Sequence, residues 1–311
     1  MDTQKRKKFL YLLEKKYKKH EEFSKLAGPG IKKKFLRFFL FPDIYITYLI
    51  IRFLKRKNIK SKLFWGQEIV IKTFFKGSPL FLAFSGILPG KGEYKLTKFL
   101  IKNLKPNDIF YDIGANYGFY TYLALEFCKE VHSFEPLPDV FESLKANLEK
   151  KANVFLNQVA LSDKIGLAKI YIPESSSLDA SGSFTIVEEN LNQHYYKFSA
   201  SIEIKTITLD EYLKKHNKPT FIKMDVEGAE SLVIKGGINF FKNYSPLISM
   251  EVWSSKEGEK ISMKAVELLR SLGYNSFFIN EEGDLEFVDG DLSRIVDQEN
   301  LFDDNFIFKK G

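Results

Sequence analysis

The sequence predicts an α/β protein with a mostly parallel, doubly wound sheet, and three observations support this class. From Asp108 onward, short apolar segments alternate with helical patterns, as they do in successive strand–helix–strand units. One apolar segment, Ile109–Tyr111, ends in an acid and a turn with two glycines, which is typical of a buried strand giving way to a helix. The 311 residues, 44% of them hydrophobic, suffice for one large domain and an extension.

The amino-terminal third contains the extension and a connecting region. Residues 1–27 predict a lysine-rich helix that ends at Gly28-Pro29-Gly30, and a second helical region runs to about Lys57. Residues 63–87 predict one or two strands, and a helix follows at Tyr94–Leu104. We therefore predict a basic helical extension at 1–60, lead-in strands and a helix at 61–105, and the main domain at 106–311.

The main domain is predicted to contain seven strands. They are expected at 108–112, 131–135, 154–160, 220–225, 247–252, 273–279 and 304–309, with helices at about 118–129, 138–150, 228–235 and 260–271. Segments 167–172 and 202–207 predict an inserted hairpin, and Thr208 with Glu211 predicts a capping box. The long loop Glu174–Ser183 is a candidate lid or acceptor loop.

The positive charge of the chain lies in its first 60 residues. They hold 18 Lys and Arg against 5 Asp and Glu, or +13, so the rest of a chain with net charge +7 carries −6. Within this basic region, Phe35–Leu54 is apolar but interrupted by Pro42 and Asp43, and is too short to span a bilayer. We expect peripheral contact with an anionic membrane, while packing of the apolar face on the main domain stays open. Nucleic acid is not expected, because the aromatic-rich segment would have no role there.

Cysteine content and the amino terminus indicate the compartment. The single cysteine, Cys128, lies in an apolar stretch and is predicted to be a packed core thiol, which excludes an internal disulfide. The first residues lack an apolar run long enough for a secretory leader. We therefore expect a cytoplasmic protein, with peripheral attachment to the cytoplasmic face of the membrane left open.

The turn after the first strand of the main domain predicts a nucleotide-like cofactor. Asp112 ends that strand, Gly114 and Gly118 allow close approach of a ligand, and Glu135 ends the next strand, where an acid suits ribose hydroxyls. A dinucleotide and S-adenosylmethionine both fit this pattern, as does a merely tight turn. The motif D-x-G-A-N-x-G lacks the three-glycine spacing of dinucleotide sites, and its acid suits a cationic amino group better than a pyrophosphate. S-adenosylmethionine is therefore favoured.

A second group of ionisable residues follows in FIKMDVEGAE. Strand alternation would place Lys223, Asp225 and Glu227 on one face, and Glu251 ends the next strand at the same edge. These carboxylates could serve as base, acceptor clamp or ligands of a divalent metal, and no metal is assigned. A purely structural Lys223–Asp225 ion pair is the alternative.

The segments FYDIGANYGFYT, SFEPLPDVFESLKANL, NQVALSD, TLDEYL and FIKMDVEGAE, in this order, resemble the FkbM family of S-adenosylmethionine-dependent O-methyltransferases over about residues 84–255. The resemblance implies a class I, Rossmann-like methyltransferase fold and methyl transfer to a hydroxyl of a sugar, glycan or glycolipid intermediate. It places Asp112, Gly114, Asn116 and Gly118 at the methionine portion, Glu135 at the ribose and Asp163 at the adenine. It also places the stretch at residues 223–230, which has the pattern KxDVEGxE, beside the methyl donor and the acceptor.

Two other functions remain open at this stage. One is an RNA methyltransferase, although the chain lacks the Asn/Asp-Pro-Pro-aromatic stretch that typically marks methylation of base amino groups. The other is a non-enzymatic, membrane-associated binding module that retains the cofactor fold. The intact Asp112, Gly114, Glu135 and Asp225 argue against this module.

Overall fold

The structure is a computed structural model that describes residues 2–26, 31–53, 58–72, 78–173, 198–254, 259–299, 301 and 303–311. The chain divides into two compact units, Met1–Gly90 and Lys91–Gly311. This division falls between the predicted boundaries after residues 60 and 105, which remain predictions. The candidate lid Glu174–Ser183 lies outside the described residues.

The amino-terminal unit is mainly helical. Its elements are α1 (Asp2–Lys25), α2 (Ile31–Leu40), α3 (Pro42–Phe53), β1 (Asn58–Lys62), β2 (Glu68–Lys72) and α4 (Ser78–Ser85). The predicted second helical region is two helices, because the non-helical Phe41 precedes Pro42, whose fixed φ suits the first position of a new helix. The apolar segment at 78–85 forms helix α4 and not the expected strand.

Aromatic contacts organise this unit. Phe9 of α1 stacks on Trp65 with 5.6 Å between ring centroids, and Phe23 meets Phe41 edge-on at 6.0 Å. Phe23, Phe41 and Ile44 form a small buried cluster. In the part of the chain that is described, no helix combines the length and apolar character that crossing a bilayer requires.

The carboxyl-terminal unit alternates strands and helices, as predicted. Its first half contains α5 (Lys91–Asn103), β3 (Ile109–Ile113), α6 (Phe119–Leu125), β4 (Glu130–Phe134), α7 (Pro138–Leu148), β5 (Val154–Asn157), β6 (Ala160–Leu161), β7 (Gly166–Pro173) and β8 (Phe198–Ile207). Its second half contains α8 (Leu209–Tyr212), β9 (Phe221–Met224), α9 (Glu230–Gly236), α10 (Ile238–Asn243), β10 (Leu247–Trp253), α11 (Glu259–Ser271), β11 (Tyr274–Ile279), β12 (Leu285–Val288), α12 (Leu292–Gln298) and β13 (Asp303–Lys310).

The main sheet has the strand order β12-β11-β13-β10-β9-β3-β4-β5. Strands β5, β4, β3, β9 and β10 run parallel, and β13 is antiparallel to both of its neighbours. The seven predicted strands are therefore present, in the order 3-2-1-4-5-7-6 when they are counted along the chain. An eighth strand, β12, pairs antiparallel with β11 at the edge of the sheet and was not predicted. Its sequence LEFV has only four residues and carries little strand signal.

One local prediction needs correction, and three others are confirmed in whole or in part. The predicted strand 154–160 is divided, because β5 ends at Asn157 and β6 joins β8 and β7 in a separate three-stranded sheet. The hairpin prediction is confirmed by the antiparallel pairing of β7 with β8. Thr208 Oγ1 accepts a hydrogen bond from Glu211 N at 3.2 Å, although helix α8 is only four residues long. Cys128 is buried, as expected.

The topology brings several chain segments to one edge of the sheet. The parallel strands β3, β4, β9 and β10 all end there, and their central residues, such as Phe110, Met224 and Met250, are fully buried. Because β13 is antiparallel to β10, its first residue, Asp303, lies opposite Trp253 at the end of β10. This edge is where ligands bind in open α/β sheets.

Candidate active site

The turn after β3 is packed backbone to backbone against the turn after β9. Gly114 has φ of 81°, and a Cβ at this position would lie 1.8 Å from Asp225 O. Gly118 also has a positive φ, and its Cβ would lie 2.6 Å from Leu144 Cδ1. Both positions therefore require glycine, for conformation and for space. The close contact fixes the two turns relative to each other.

Asp112 is fully buried at the end of β3. Its Oδ2 accepts a hydrogen bond from Thr121 Oγ1 at 2.6 Å, while Oδ1 has no hydrogen-bond partner and lies 3.8 Å from Lys223 Nζ. Burial raises the pKa of Asp112, and the charge of Lys223 opposes this effect. A buried carboxylate oxygen with unused acceptor capacity is suited to a cationic or hydrogen-bond-donating ligand.

Glu135 is buried at the end of β4, and backbone amides hold both of its oxygens. Oε2 accepts from Asn116 N at 3.0 Å, and Oε1 accepts from Leu137 N at 2.9 Å. Asn116 itself is exposed and has φ of 51°. Burial raises the pKa of Glu135 to about 7, although the two amide hydrogen bonds act in the opposite direction. Each oxygen keeps a second lone pair for a ligand hydroxyl.

Lys223 and Asp225 form an ion pair in which Lys223 Nζ lies 2.9 Å from Asp225 Oδ2. Lys223 Nζ also lies 3.4 Å from Gly114 O and 5.1 Å from the centroid of the Tyr120 ring. Burial lowers the pKa of Lys223, but the charges of Asp225 and Asp112 outweigh burial and raise it, so the lysine stays cationic. The predicted ion pair is present, beside the glycine turn.

The residues after Met224 do not continue the strand. Because β9 ends at Met224, Asp225 and Glu227 lie in the following turn, which corrects the predicted alternation on one strand face. Glu227 and Gly228 both have positive φ, 54° and 90°. Glu230 Oε1 accepts hydrogen bonds from Val226 N and Gly228 N at 3.2 and 3.3 Å. Glu230 therefore stabilises this turn.

Glu227, Glu251 and Asp303 form an acidic group around Asp225. Burial raises the pKa of Glu227 and of Glu251 well above the ordinary value, and neighbouring carboxylates raise both further. Burial, followed by the charge of Asp225, raises the pKa of Asp303 to about 6. Glu251 Oε2 accepts a hydrogen bond from Trp253 Nε1 at 3.0 Å. Burial and mutual repulsion thus favour the protonated form of these acids more than water would.

Glu93 also contacts this group, although the sequence did not predict it. It lies in the first turn of α5 and accepts a hydrogen bond from the Tyr120 hydroxyl. Burial raises the pKa of Glu93 to about 7, Lys223 opposes this, and Asp225 adds to it. Helix α5 is held in place by the buried ion pair of Lys95 with Asp304. The position of Glu93 thus depends on contact between α5 and β13.

The predicted site residues separate into two sets. The structure brings together Asp112, Gly114, Lys223, Asp225, Glu227 and Glu251, and it joins Glu135 to Asn116. Asp163 is exposed, and among the described residues no hydrogen bond or ion pair joins it to the others. Its Cα would lie 3.4 Å from a Cβ on Gly236, so its segment packs on helix α9.

Three residues of the site were not predicted from the sequence, and they differ in how much sequence signal marks them. Asp303 directly precedes the predicted strand 304–309, and antiparallel pairing of that strand with the predicted strand 247–252 would have indicated its place. Thr121 lies one helical turn beyond the glycines. Glu93 has no local signal, because a tertiary contact alone brings α5 to the site.

The metal alternative has no support in the described ranges, where no group of three or more His, Cys, Asp or Glu side chains is arranged to hold a metal ion. What the edge offers instead is a glycine turn without room for side chains, a buried acid with an unused oxygen and a second acid suited to a diol. These features fit S-adenosylmethionine, whose amino group is cationic and whose ribose carries two hydroxyls.

The strand order and this edge define a class I, Rossmann-like methyltransferase. Residues 112–276, more than half of the chain, match the family model described as the methyltransferase FkbM domain. The chain therefore belongs to the FkbM methyltransferase family, which confirms the predicted family and S-adenosylmethionine as its cofactor.

The chain is similar to two characterised relatives. It is 29% identical over 162 residues to the hexuronic acid methyltransferase AglP of Haloferax volcanii, covering 51% of this chain and 62% of that protein. It is 30% identical over 142 residues to the 2-O-methyltransferase NoeI of Sinorhizobium fredii, covering 43% of this chain and 58% of that protein. The chain thus spans about three fifths of the length of these relatives.

A solved structure of the same family is also similar. The methyltransferase FkbM of Methylobacillus flagellatus KT matches 74% of this chain and 52% of that chain, with 12% sequence identity and a TM-score of 0.41.

Proposed function

We propose that this protein is an S-adenosylmethionine-dependent O-methyltransferase that acts on a hydroxyl of a sugar, glycan or glycolipid intermediate. One observation carries the proposal: the Lys223–Asp225 ion pair lies in the turn packed against Gly114 of the cofactor turn. A carboxylate beside the donor can accept the proton that a hydroxyl loses during methyl transfer. The names of the two relatives, a hexuronic acid and a 2-O-methyltransferase, support a hydroxyl acceptor on a sugar.

The cofactor supplies an electrophilic methyl group, and the chain positions it. In this proposal, Asp112 Oδ1 receives the cationic amino group, Glu135 binds the ribose hydroxyls, and the segment at Asp163 flanks the adenine. Gly114, Asn116 and Gly118 form the turn that lets the methionine portion approach the backbone. Alignment of donor and acceptor is the main contribution that a protein makes to an in-line displacement.

The acceptor side needs one ionised base and several hydrogen-bonding groups. Lys223 Nζ lies 2.9 Å from Asp225 Oδ2 and orients this carboxylate beside the cofactor turn, so Asp225 is the proposed base. Glu227 and Glu251, whose pKa values burial raises, are proposed to bind acceptor hydroxyls. The Trp253 indole, which donates to Glu251, offers an apolar face on which a sugar ring can stack.

The test compares Asp225→Asn with the unchanged protein, using labelled S-adenosylmethionine and separated polysaccharide, lipid and RNA fractions. We expect label in the polysaccharide or lipid fraction, and turnover about 10²–10⁴-fold lower in the variant, because a general base contributes this much. Affinity for S-adenosylhomocysteine, measured by calorimetry, should change little.

Asp289→Asn, at an exposed position, is the matched control and should leave turnover unchanged. A loss of less than about threefold in Asp225→Asn would make Asp225 structural and Glu227 or Glu251 the better candidate. Label in RNA would contradict the proposed acceptor class. Addition of a chelator to the same assay tests the metal alternative.

A further inference from the structure

Helix α2 turns its apolar side chains outward. Ile31, Phe35, Phe38 and Phe39 expose 75%, 60%, 44% and 71% of their surface, and no residue of the helix is buried. Leu36 and Leu40 are exposed as well. A helix that packs on a globular core does the opposite, because burial of its apolar stripe is what stabilises it.

The polar side of α2 is the side that contacts its own unit. The Arg37 guanidinium lies 6.0 Å from the Phe23 ring centroid and 5.4 Å from that of Tyr45, and Arg37 is only partly exposed. The next residue after the helix, Phe41, is buried against Phe23. The helix is thus fixed through Arg37 and Phe41, with its aromatic side chains facing away from the buried cluster of this unit.

The aromatic side of α2 is flanked by cations. With about 3.6 residues per turn, Ile31, Phe35, Phe38 and Phe39 fall within an arc of about 100°, and Lys32 and Lys34 lie at its two borders. Phe39 contacts both Phe35 and Phe38, with ring centroids 6.1 and 5.5 Å apart. Lysines at the border of an apolar face can extend their amines to anionic head groups while the rings enter the acyl boundary.

We propose that α2 is an in-plane membrane helix that binds the surface of an anionic bilayer through Ile31, Phe35, Phe38 and Phe39, with Lys32 and Lys34 on the lipid phosphates. This assigns the contact to ten residues, whereas the sequence indicated only the region 1–60. A phospholipid surface is the partner that matches both features, since it offers an apolar layer directly below a layer of negative charge.

The experiment is co-sedimentation of the full-length protein with phosphatidylcholine vesicles that contain or lack phosphatidylserine, at low and high salt. We expect binding to the anionic vesicles that weakens at high salt. The double variant Phe35→Gln and Phe39→Gln should bind about a hundredfold more weakly, because burial of each large apolar side chain strengthens partitioning about tenfold or more. Lys32→Gln with Lys34→Gln should weaken binding about twenty-five-fold, at about fivefold per cation.

Phe287→Gln is the matched control, since Phe287 exposes 63% of its surface in the carboxyl-terminal unit, and it should bind as the unchanged protein does. Circular dichroism of each variant shows whether the fold is intact. Protein that stays in the supernatant with anionic vesicles at low salt would overturn the proposal. So would light scattering that shows a dimer dissociated by the Phe35 and Phe39 substitutions, because α2 would then bind a second copy.

Discussion

The two halves of the active-site edge hold their carboxylates in different ways. On the cofactor half, each acid has its own donors: Thr121 binds Asp112, and the amides of Asn116 and Leu137 bind Glu135. On the acceptor half, Asp225 lies near Glu227, Glu251 and Asp303, and its charge raises the pKa of each of these three acids. The first arrangement keeps its groups in one fixed position, whereas the second stores unfavourable charge interactions.

This difference corresponds to two kinds of chemistry. A cofactor of constant structure is bound best by preorganised groups, because little ordering is then needed on binding. Proton transfer instead needs groups whose pKa lies near the working pH, and burial beside like charges produces such values. On the acceptor half, burial and neighbouring carboxylates raise the pKa of Glu227, Glu251 and Asp303, and Lys223 is the cation that offsets part of the negative charge.

Gly114→Ala should have the largest effect, because Gly114 lies where the two halves touch. A Cβ there would lie 1.8 Å from Asp225 O, and a backbone atom cannot move aside as a side chain can. We expect loss of detectable S-adenosylhomocysteine binding by calorimetry, and a free energy of unfolding lower by more than about 3 kcal/mol.

Gly290→Ala is the control that separates the cost of a positive φ from the cost of a steric clash. Gly290 also has a positive φ, 101°, but no atom lies within 4 Å of the added Cβ. Only the conformational cost of about 1–2 kcal/mol should appear, with unchanged cofactor binding. If Gly114→Ala and Gly290→Ala had the same effect, the close contact between the turns after β3 and β9 would not be the reason that position 114 requires glycine.

Glu135→Ala should affect the cofactor half alone. Loss of a carboxylate that accepts hydrogen bonds from the ribose should weaken binding of S-adenosylhomocysteine by ~1.5–3 kcal/mol, or about 10–150-fold. For the unchanged protein, affinity should rise with pH through about 7, since burial raises the pKa of Glu135 to about 7 and the ionised form is the stronger acceptor. Calorimetry between pH 6 and pH 8 measures both effects.

Unaltered affinity in Glu135→Ala, or preferential binding of NAD, would contradict the role of Glu135. Asp139→Ala is the matched control, because Asp139 is exposed and lies in the first turn of the helix that follows Glu135. We expect it to bind S-adenosylhomocysteine as the unchanged protein does.

The cofactor half could be predicted from sequence because its pattern is local. The acid, the two glycines and the second acid lie on consecutive strand–helix units, and parallel pairing brings their ends to one edge without further information. The same reasoning found Lys223 and Glu251, which lie near the carboxyl ends of neighbouring parallel strands.

The acceptor half could be predicted only in part, because it depends on distant contacts. Glu93 reaches the site through packing of α5 on β13, where Lys95 pairs with Asp304 more than 200 positions later. The left-handed conformation of Glu227 ends the strand alternation, and no periodic pattern reveals it. The edge strand β12 was missed because it has only four residues and one neighbour in the sheet.

Glu93→Gln should have the smallest effect and concern the acceptor half alone. Burial raises the pKa of Glu93 from 4.5 in the unfolded chain to about 7, so the folded protein holds a proton that the unfolded chain has released. The stability contributed by this group is therefore complete below about pH 4 and is lost as pH rises through about 7. Because glutamine does not ionise, the variant should lose less stability between pH 5 and pH 8. Glu93 is partly exposed and solvent screens its charge, so we expect the melting temperatures to differ by about 2–4 °C at pH 8.

The exposed substitution Glu149→Gln should leave the pH dependence unchanged, and S-adenosylhomocysteine affinity should be the same in both variants. Parallel melting curves for Glu93→Gln and the unchanged protein would mean that Glu93 stays ionised, and it would then belong with the individually satisfied acids of the cofactor half.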